Sequence, residues 1–355
     1  MRIGVVGAGV IGLSIAHELA EAHDVTVVHE LPTLETTSAV AGAQWFPFAA
    51  ERSEAVDRML AVTLERFRAI SAEHPEAGVD EMPGVLIERG PVDRSWTAFL
   101  DAEPVDLDGW VPGMPAHESD ASAVAAGRAA AGAPEASRAA PRPAEPPALA
   151  ELRASGATAL RTSSPLATMS QYLPWLEARC RERGVRFVQR RVGALEELTG
   201  FDAVVVATGL GARELLGDDA LAPARGQVVR IENPGVTEFL VDDDHPDGLV
   251  YLLPRRDCLV LGGTYEPGAD DLRPDPATEA AIIARCATYV PAVADARILA
   301  RRVGLRPGRA RVRVERVAGA PIPTIAAVGH GGSGMTLSWG TAERVAALAS
   351  QPCQW

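Results

Sequence analysis

The sequence opens with a short apolar run that ends in the segment GAGVIG, and this feature constrains the fold more than any other. Gly7, Gly9 and Gly12 have the spacing at which a buried strand turns directly into a helix. The first glycine permits the tight turn, the second lets a ligand approach the backbone, and the third lets helix and strand pack closely. The free N–H groups at the helix N-terminus suit a diphosphate. The spacing therefore predicts a nucleotide-binding βαβ unit with a right-handed crossover.

The second strand, DVTVVHE, ends at Glu30, which lies 18 residues after Gly12. A carboxylate at this position binds a ribose hydroxyl and repels a 2′-phosphate. Glu30 therefore favours FAD or NAD over NADP, whereas a glycine-rich turn without a ligand is the competing interpretation. One glycine motif does not choose between FAD and NAD.

Two later segments favour FAD. The buried run VVVATG ends at Gly209, in a small-residue turn where a cofactor can again approach the backbone. The segment HGGSGMT, from His330 to Thr336, opens a helix whose amides and dipole would face a developing negative charge, such as that on a reduced flavin. A nucleophile elbow would need glycine where Met335 stands, so the hydrolase interpretation fails.

Composition excludes several functions. The 355 residues include no lysine, so all 34 cationic side chains are arginine and neither a Schiff-base lysine nor a P-loop lysine exists. Acidic residues outnumber them, 47 to 34, and the net charge of −13 argues against nucleic acid or an anionic membrane as a partner. Neither CxxC nor HExxH occurs, so we expect no metal site.

The location of the chain is predicted from what precedes the first strand and from its cysteines. No charged and apolar leader precedes that strand, and no apolar run reaches the roughly 18 residues of a membrane span. The four cysteines are expected to be reduced thiols, as in a cytoplasmic protein. We therefore expect a cytoplasmic location, and the sequence leaves a homo-oligomer open.

Strand and helix patterns, including a long helical pattern from about residue 52 to residue 73, indicate an α/β protein of two domains. Parallel βαβ pieces at both ends and in the middle predict a Rossmann-type domain assembled from separated segments. Antiparallel patterns between them predict an inserted α+β domain on a mainly antiparallel sheet. Residues 112–149 are rich in alanine and proline and bury little, which favours a surface insertion with room for one short alanine-rich helix over an active-site lid. The expected bounds are 1–50, 165–223 and 318–355 for the first domain, and 51–164 and 224–317 for the second.

The order of these motifs resembles the D-amino-acid oxidase family of flavoenzymes, over most of the chain. The resemblance rests on GAGVIGLS, TTSAVAGAQWFPF, SQYLPWLEARCRERGVRF, VVVATGLGA, ARGQVVR, YLLP with LGGTYE, GLRPGRARVR and GHGGSGMTLSWG. The pair GLRP-x-R and HGGxG-x-T is the most informative. The resemblance implies FAD bound without a covalent link in the Rossmann-type domain, and a D-amino acid presented to it from the antiparallel domain.

The resemblance also assigns roles to individual residues. It implies that Arg306 grips the substrate carboxylate through two charge-assisted bonds, that the Tyr251 hydroxyl helps, and that the Gly332 carbonyl receives the substrate amine. It places the cofactor against Gly7, Gly9, Val10, Ile11, Gly12, Glu30, Thr36, Thr37, Ser38, Gly42, Ala43, Val192, Gly209, Gly331, Gly334, Met335 and Thr336.

Departures from the family pattern leave the substrate open. Phe46 and Phe48 stand where the family pocket is more polar, and they favour neutral apolar substrates if they line it. Packing in the domain interface is the alternative. Asp247 replaces a second pocket tyrosine and would attract a cationic side chain if it reached the pocket. Arg306 lies among other arginines, so an ion-paired surface is its competing interpretation, and Tyr251 could be an ordinary strand tyrosine.

The implied reaction requires no catalytic side chain. Hydride passes from the substrate Cα to flavin N5, the imine hydrolyses to a 2-oxo acid and ammonia, and dioxygen reoxidises the flavin to give hydrogen peroxide. Three alternatives stay open. They are oxidation of glycine, a secondary amine or a specialised-metabolite amine on the same scaffold, an NAD-dependent dehydrogenase, and a non-catalytic FAD-binding protein.

Overall fold

The computed structural model describes residues 1–48, 51–90, 95–108, 110–113 and 145–351. Its helices are α1 (Val10–Leu19), α2 (Thr37–Val40), α3 (Glu54–Glu73), α4 (Pro147–Ser155), α5 (Met169–Glu182), α6 (Ala212–Leu216), α7 (Pro276–Tyr289) and α8 (Gly334–Ser350). Its strands are β1 (Arg2–Val6), β2 (Asp24–His29), β3 (Val79–Glu88), β4 (Glu103–Pro104), β5 (Thr158–Ala167), β6 (Arg186–Gln189), β7 (Ala203–Val206), β8 (Ala222–Ile231), β9 (Phe239–Asp242), β10 (Val250–Pro254), β11 (Leu259–Gly262), β12 (Glu266–Pro267), β13 (Ile298–Gly308), β14 (Arg313–Arg316) and β15 (Thr324–Val328).

A six-stranded sheet is built from three separated parts of the chain, in the order β14-β15-β7-β1-β2-β6. Its pairs are parallel except for β14 with β15. The central strand β1 carries the apolar run that ends in the glycine turn, and its last four residues are buried, as expected of a strand covered on both faces. The predicted βαβ opening and the discontinuous Rossmann-type sheet are confirmed.

A second sheet has the order β12-β8-β11-β10-β9-β3-β5-β4, with β13 also paired to β8. Its pairs are antiparallel apart from β3 with β9. Helices α4 and α7 cover one face, where Leu252 and Leu261 join their core. Since side chains alternate along a strand, Tyr251 and Leu253 point to the opposite face, and both pack with the core of the first sheet. The predicted mainly antiparallel sheet is confirmed.

Two sequence expectations about boundaries need correction or remain open. Of the predicted insertion 112–149, residues 114–144 lie outside the described residues, but its end is not a surface loop. Pro147 starts α4 at a first-turn position that proline favours, and Ala148 and Leu149 are buried in the second core. The division into two domains stays a prediction, although β14 joins the six-stranded sheet and not the antiparallel one.

Local signals account for much of this architecture. The predicted helix at 52–73 appears as α3, and it begins after Ser53, whose hydroxyl accepts a hydrogen bond from the Val56 N–H at 3.3 Å, an N-cap that stabilises the first turn. Across the described ranges, no helix is both long and apolar enough to cross a bilayer.

Candidate active site

A cavity of about 660 Å³ lies between the two sheets, lined by the glycine turn after β1, by the segment after α2, and by β10 and β13. It brings together most of the residues that the sequence singled out: Gly7, Gly9, Val10, Ile11, Glu30, Thr36, Thr37, Ser38, Gly42, Ala43, Phe46, Phe48, Val192, Gly209, Tyr251, Arg306, Gly331, Gly332, Gly334 and Met335. Gly12 and Thr336 do not line the cavity, but each contacts a residue that does: Gly12 packs on Gly7, and Thr336 is hydrogen bonded to Phe46.

The glycine turn is packed too closely for side chains. Gly7 has a φ of 116°, a conformation that favours glycine. A Cβ on Gly12 would lie 1.9 Å from the Gly7 carbonyl oxygen, so Gly12 permits the packing of α1 and does not itself face the cavity. Gly9 is the N-cap of α1 and offers no side chain, while the Ser38 hydroxyl accepts a hydrogen bond from the Val10 N–H at 3.0 Å. The start of α1 is therefore open toward an anionic group.

Polar groups without partners mark two further points of the cavity. Within the described part of the chain, the Glu30 carboxylate forms no hydrogen bond or ion pair, whereas its backbone carbonyl accepts from the Gln189 side chain at 3.2 Å. The buried Thr208 hydroxyl has no partner in those residues either. An open α1 terminus, the unpaired Glu30 carboxylate and an orphaned hydroxyl fit a dinucleotide such as FAD.

The second glycine loop is bonded to the segment that carries the two phenylalanines. The Thr336 hydroxyl donates to the Phe46 carbonyl at 2.9 Å and accepts from the Phe46 N–H at 3.2 Å, and Ser333 donates to the Phe48 carbonyl at 2.9 Å. A Cβ on Gly332 would lie 2.6 Å from the Phe48 ring. Thr336 and Gly332 thus set the position of these rings.

Arg306 is a cation without an acidic partner. Its Nη1 donates to the backbone carbonyls of Arg225 at 3.2 Å and Thr264 at 3.1 Å. No carboxylate of the described residues pairs with it, and its Nε and Nη2 remain free there. The rings of Phe48 and Tyr265 each lie 5.8 Å from the guanidinium carbon, a distance at which a ring face attracts a cation. The guanidinium is therefore fixed through Nη1, and its Nε–Nη2 edge is available to donate to a ligand.

Two glycines on strand β11 and after it make room for Tyr251. Tyr251 lies opposite Gly262 in the sheet. A Cβ on Gly262 would lie 1.7 Å from the ring, and one on Gly263 would lie 2.6 Å from the hydroxyl oxygen. Burial raises the pKa of Tyr251, so the hydroxyl stays protonated and can donate. No residue of the described chain accepts from it.

The remaining candidates are placed as follows. Phe46 packs edge-to-face on Trp96 at 5.0 Å and also lines the cavity, so its role in the substrate pocket stays a prediction. Asp247 is exposed and does not line the cavity, whereas the nearby Asp243 does. His330 is buried, hydrogen bonded to Thr341 at 3.0 Å, and burial lowers its pKa to about 4. It is a neutral packing residue.

Sequence reasoning missed three residues that shape the site. Tyr265 stacks on Arg306, and Gly226 makes room for it, because a Cβ on Gly226 would lie 2.1 Å from Arg306 Nη1. Arg255 bonds the backbone of the segment after α2. The motifs LGGTYE and ARGQ contained Tyr265 and Gly226, but only strand pairing brings them to Arg306.

The chain matches the family model of FAD dependent oxidoreductases over residues 2–348 and belongs to that family. Its cofactor is FAD, the dinucleotide that the cavity fits, and the nicotinamide alternative is set aside.

Relatives and solved structures extend this finding. The chain is 39% identical to the D-amino-acid oxidase of Rubrobacter xylanophilus over 353 residues, 98% of this chain and 95% of the relative. It is 38% identical to that of Streptomyces coelicolor, with 98% and 97% covered, and 32% identical to human D-aspartate oxidase, with 99% and 95% covered. The glycine oxidase of Geobacillus kaustophilus has the same fold, with a TM-score of 0.72 at 18% identity and 100% and 96% covered.

Proposed function

We propose that the chain is a D-amino-acid oxidase whose substrates are neutral D-amino acids with apolar side chains. The observation that carries this proposal is the Arg306 guanidinium, which faces the cofactor cavity without any acidic partner in the described residues. An unpaired cation in a half-buried site calls for an anion, and a carboxylate is the planar anion that matches the guanidinium fork. The identity to two D-amino-acid oxidases supports the reaction type.

In this mechanism the protein binds and orients the substrate. Arg306 donates its free Nε and Nη2 edge to the carboxylate, while the backbone carbonyls on Nη1 keep the fork from turning. The protonated Tyr251 hydroxyl donates a further hydrogen bond to the same carboxylate. Two fixed contacts at one end of a small substrate restrict the orientation of its Cα–H, and such restriction is a large part of the catalysis.

The other end of the substrate is positioned by the glycine loop and the two rings. We assign the Gly332 carbonyl as the acceptor of a hydrogen bond from the substrate amine. The amine must be in its neutral form for oxidation to occur. Phe46 and Phe48 line the cavity and exclude water from the reacting atoms. When bound, FAD accepts the hydride from Cα and passes the electrons to dioxygen. No acid–base side chain is assigned.

The expected side-chain preference follows from the lining of the cavity. Phe46, Phe48, Leu249 and Leu272 supply apolar surface, and Asp243 is negatively charged. An acidic substrate would bury a second carboxylate among these groups without a cation, which is costly. Arg190 and Arg191 also line the cavity, but each is paired with a glutamate.

The test compares kcat/KM of the holoenzyme for D-methionine, D-arginine and D-aspartate, with anaerobic bleaching of the flavin as a second readout. We expect D-methionine to exceed D-aspartate by at least about a hundredfold, since an unpaired buried charge costs several kcal/mol. A preference for D-aspartate would contradict the assignment of the pocket. Turnover of glycine or a secondary amine alone would contradict the D-amino-acid assignment and favour the alternative on this scaffold.

Cytoplasmic location remains part of the proposal. It is supported by Cys180, Cys258 and Cys286, which are buried free thiols. Whether the protein forms a homo-oligomer is left to a measurement of its mass in solution.

A further inference from the structure

Two arginines lie behind the cofactor cavity without acidic partners. Arg255 is 6% exposed, and Arg230 is half-buried. Neither forms an ion pair within the described part of the chain. Asp257 acts on Arg255 only through space, because its carboxylate accepts from Ser170 at 2.7 Å and from the Cys258 thiol at 3.3 Å. Burial and the charge of Arg230 lower the pKa of Arg255 to about 10, so it stays charged at neutral pH.

Both guanidinium groups donate to backbone carbonyls at the end of α2. Arg230 donates to the Ala39 carbonyl at 2.6 Å. Arg255 donates to the Gly42 carbonyl at 2.8 Å and also to that of Ala41. Arg255 Nε and Nη1 and Arg230 Nε are buried without an acceptor in the described residues. Two cations are thus concentrated on one short piece of backbone.

These contacts orient the peptide groups of the segment. In a trans peptide the C=O and the next N–H point in opposite directions. The carbonyls of Ala41 and Gly42 point to Arg255, so the N–H groups of Gly42 and Ala43 point away from it. Gly42 and Ala43 line the cavity, and their N–H groups have no acceptor in the described part of the structure. Ala43 adopts a φ of 64°, a left-handed conformation that an alanine holds only when its surroundings impose it.

We propose that Arg230 and Arg255 are positioning residues for FAD. Arg230 fixes the end of α2 at Ala39, and Arg255 holds the following peptides so that the N–H groups of Gly42 and Ala43 face the cofactor; together the two cations make the cavity favour the electron-rich reduced form of FAD. A cation bonded to a carbonyl polarises that peptide and strengthens the hydrogen bond that its N–H donates. The two positive charges also act directly across a medium of low dielectric constant. Added electrons on the cofactor then provide negative charge near two cations that no carboxylate of the described residues pairs with directly.

The inference concerns the cofactor of the family and does not depend on which amine is oxidised, so its test needs no substrate. Arg255→Met removes the charge at similar volume, and Arg255→Lys keeps a cation at the carbonyls. Arg230→Met repeats the removal at the less buried position. Arg256→Met is the matched control, because Arg256 is next in sequence but pairs with Asp80 at 2.7 Å on the surface.

The readouts are the dissociation constant of FAD, from flavin fluorescence, and the midpoint potential of bound FAD, from equilibration with a reference dye. We expect Arg255→Met and Arg230→Met to raise the dissociation constant at least about tenfold and to make the potential more negative. Arg255→Lys should restore most of the potential, and Arg256→Met should change neither quantity. A potential equal to the wild type in both methionine variants, or the same shift in Arg256→Met, would overturn the proposal. If Arg255→Met fails to fold, Arg230→Met and Arg255→Lys decide the question.

Discussion

At the scale of single residues, the site depends on one unpaired cation and on the groups that prevent it from finding an internal partner. The chain carries 34 arginines and 47 acidic residues, so most arginines meet a carboxylate. Arg306 does not, because backbone carbonyls take one nitrogen and the adjacent rings of Phe48 and Tyr265 lie beside its guanidinium group. Its free edge is available to a substrate because the neighbouring positions carry no acid that pairs with it in the described residues.

Replacement of Arg306 should strongly weaken substrate binding and leave the cofactor in place. Arg306→Ala removes the bidentate partner of the substrate carboxylate, which should weaken binding by roughly 2–5 kcal/mol if the pair is desolvated. Arg306→Lys should recover only part of this, because an ammonium cannot form two parallel bonds. The measurement is KM for D-methionine with FAD content determined from the absorbance spectrum. An unchanged KM would remove Arg306 from the site.

Substitution of Gly226 tests the same geometry without replacing the arginine itself. The Cβ of Gly226→Ala would lie 2.1 Å from Arg306 Nη1, so the guanidinium must move away from its two carbonyls. We expect KM to rise about tenfold or more while FAD binding persists. Gly200→Ala is the control, because a Cβ there meets nothing within 4 Å. Equal kinetics of the Gly226→Ala enzyme and the control would show that Arg306 does not depend on this space.

At the scale of elements, helices α1 and α8 pack together, and two buried histidines contact α8. His17 of α1 lies edge-on to Trp339 of α8 with ring centroids 5.2 Å apart. The ring of His330, just before α8, is hydrogen bonded to the hydroxyl of Thr341, which lies about two turns into that helix. Burial first, and then the positive charges of Arg183 and Arg66, lower the pKa of His17 to about 4. Both histidines are therefore neutral in the folded protein at physiological pH.

This pair makes stability fall with acid in a defined window. The pKa values of His17 and His330 are lowered from 6.5 to about 4 in the folded protein. Between these values the unfolded chain binds protons that the folded protein does not, so stability decreases as the pH falls through the window. Inside this window, each histidine lowers the free energy of unfolding by roughly 1.4 kcal/mol for each pH unit of acidification.

The check is urea unfolding of the holoenzyme, in saturating FAD, at several pH values from 7 down to 4.5. His330→Gln removes one of the two titrating groups and should flatten the pH dependence by about one proton. Parallel curves for the wild type and His330→Gln would contradict the assignment.

At the scale of the whole molecule, the two sheets enclose the cofactor cavity, so binding couples parts that are distant in sequence. The glycine turn of β1, the segment after α2 and the loop before α8 all line this cavity. A ligand that contacts all three stabilises their mutual packing, because it binds the folded state only. The apoprotein should therefore unfold at a lower temperature than the holoenzyme.

The cofactor should be held without a covalent bond. His330 is occupied by Thr341, and Cys180, Cys258 and Cys286 do not line the cavity, so none of them stands ready to attach a flavin. Acid precipitation should release all flavin into the supernatant, and added FAD should raise the melting temperature of the apoprotein. Flavin retained in the pellet would contradict this expectation.

Much of the fold was readable from local patterns. Glycine spacing, a short apolar strand and an amphipathic helix predicted β1, α1 and β2, because each signal lies within one element. Helix α3 and the glycine loop before α8 were found for the same reason. The end of the 112–149 segment was misread, since an alanine- and proline-rich composition does not reveal that Ala148 and Leu149 meet a core built by distant strands.

The sequence by itself determined the nucleotide-binding turn and the sheet type, because glycine spacing and strand patterns act locally. The resemblance to a family then supplied the residues expected to touch the ligand. Tertiary structure alone decided how those residues are held. Arg306 and its carbonyl partner on Arg225 are 81 residues apart, and Arg255 reaches Gly42 across 213 residues. Such contacts depend on strand register and on the docking of one sheet against another. No local pattern encodes strand register or sheet docking. These two features of the tertiary structure leave Asp247 on the surface and bring Tyr265 next to Arg306.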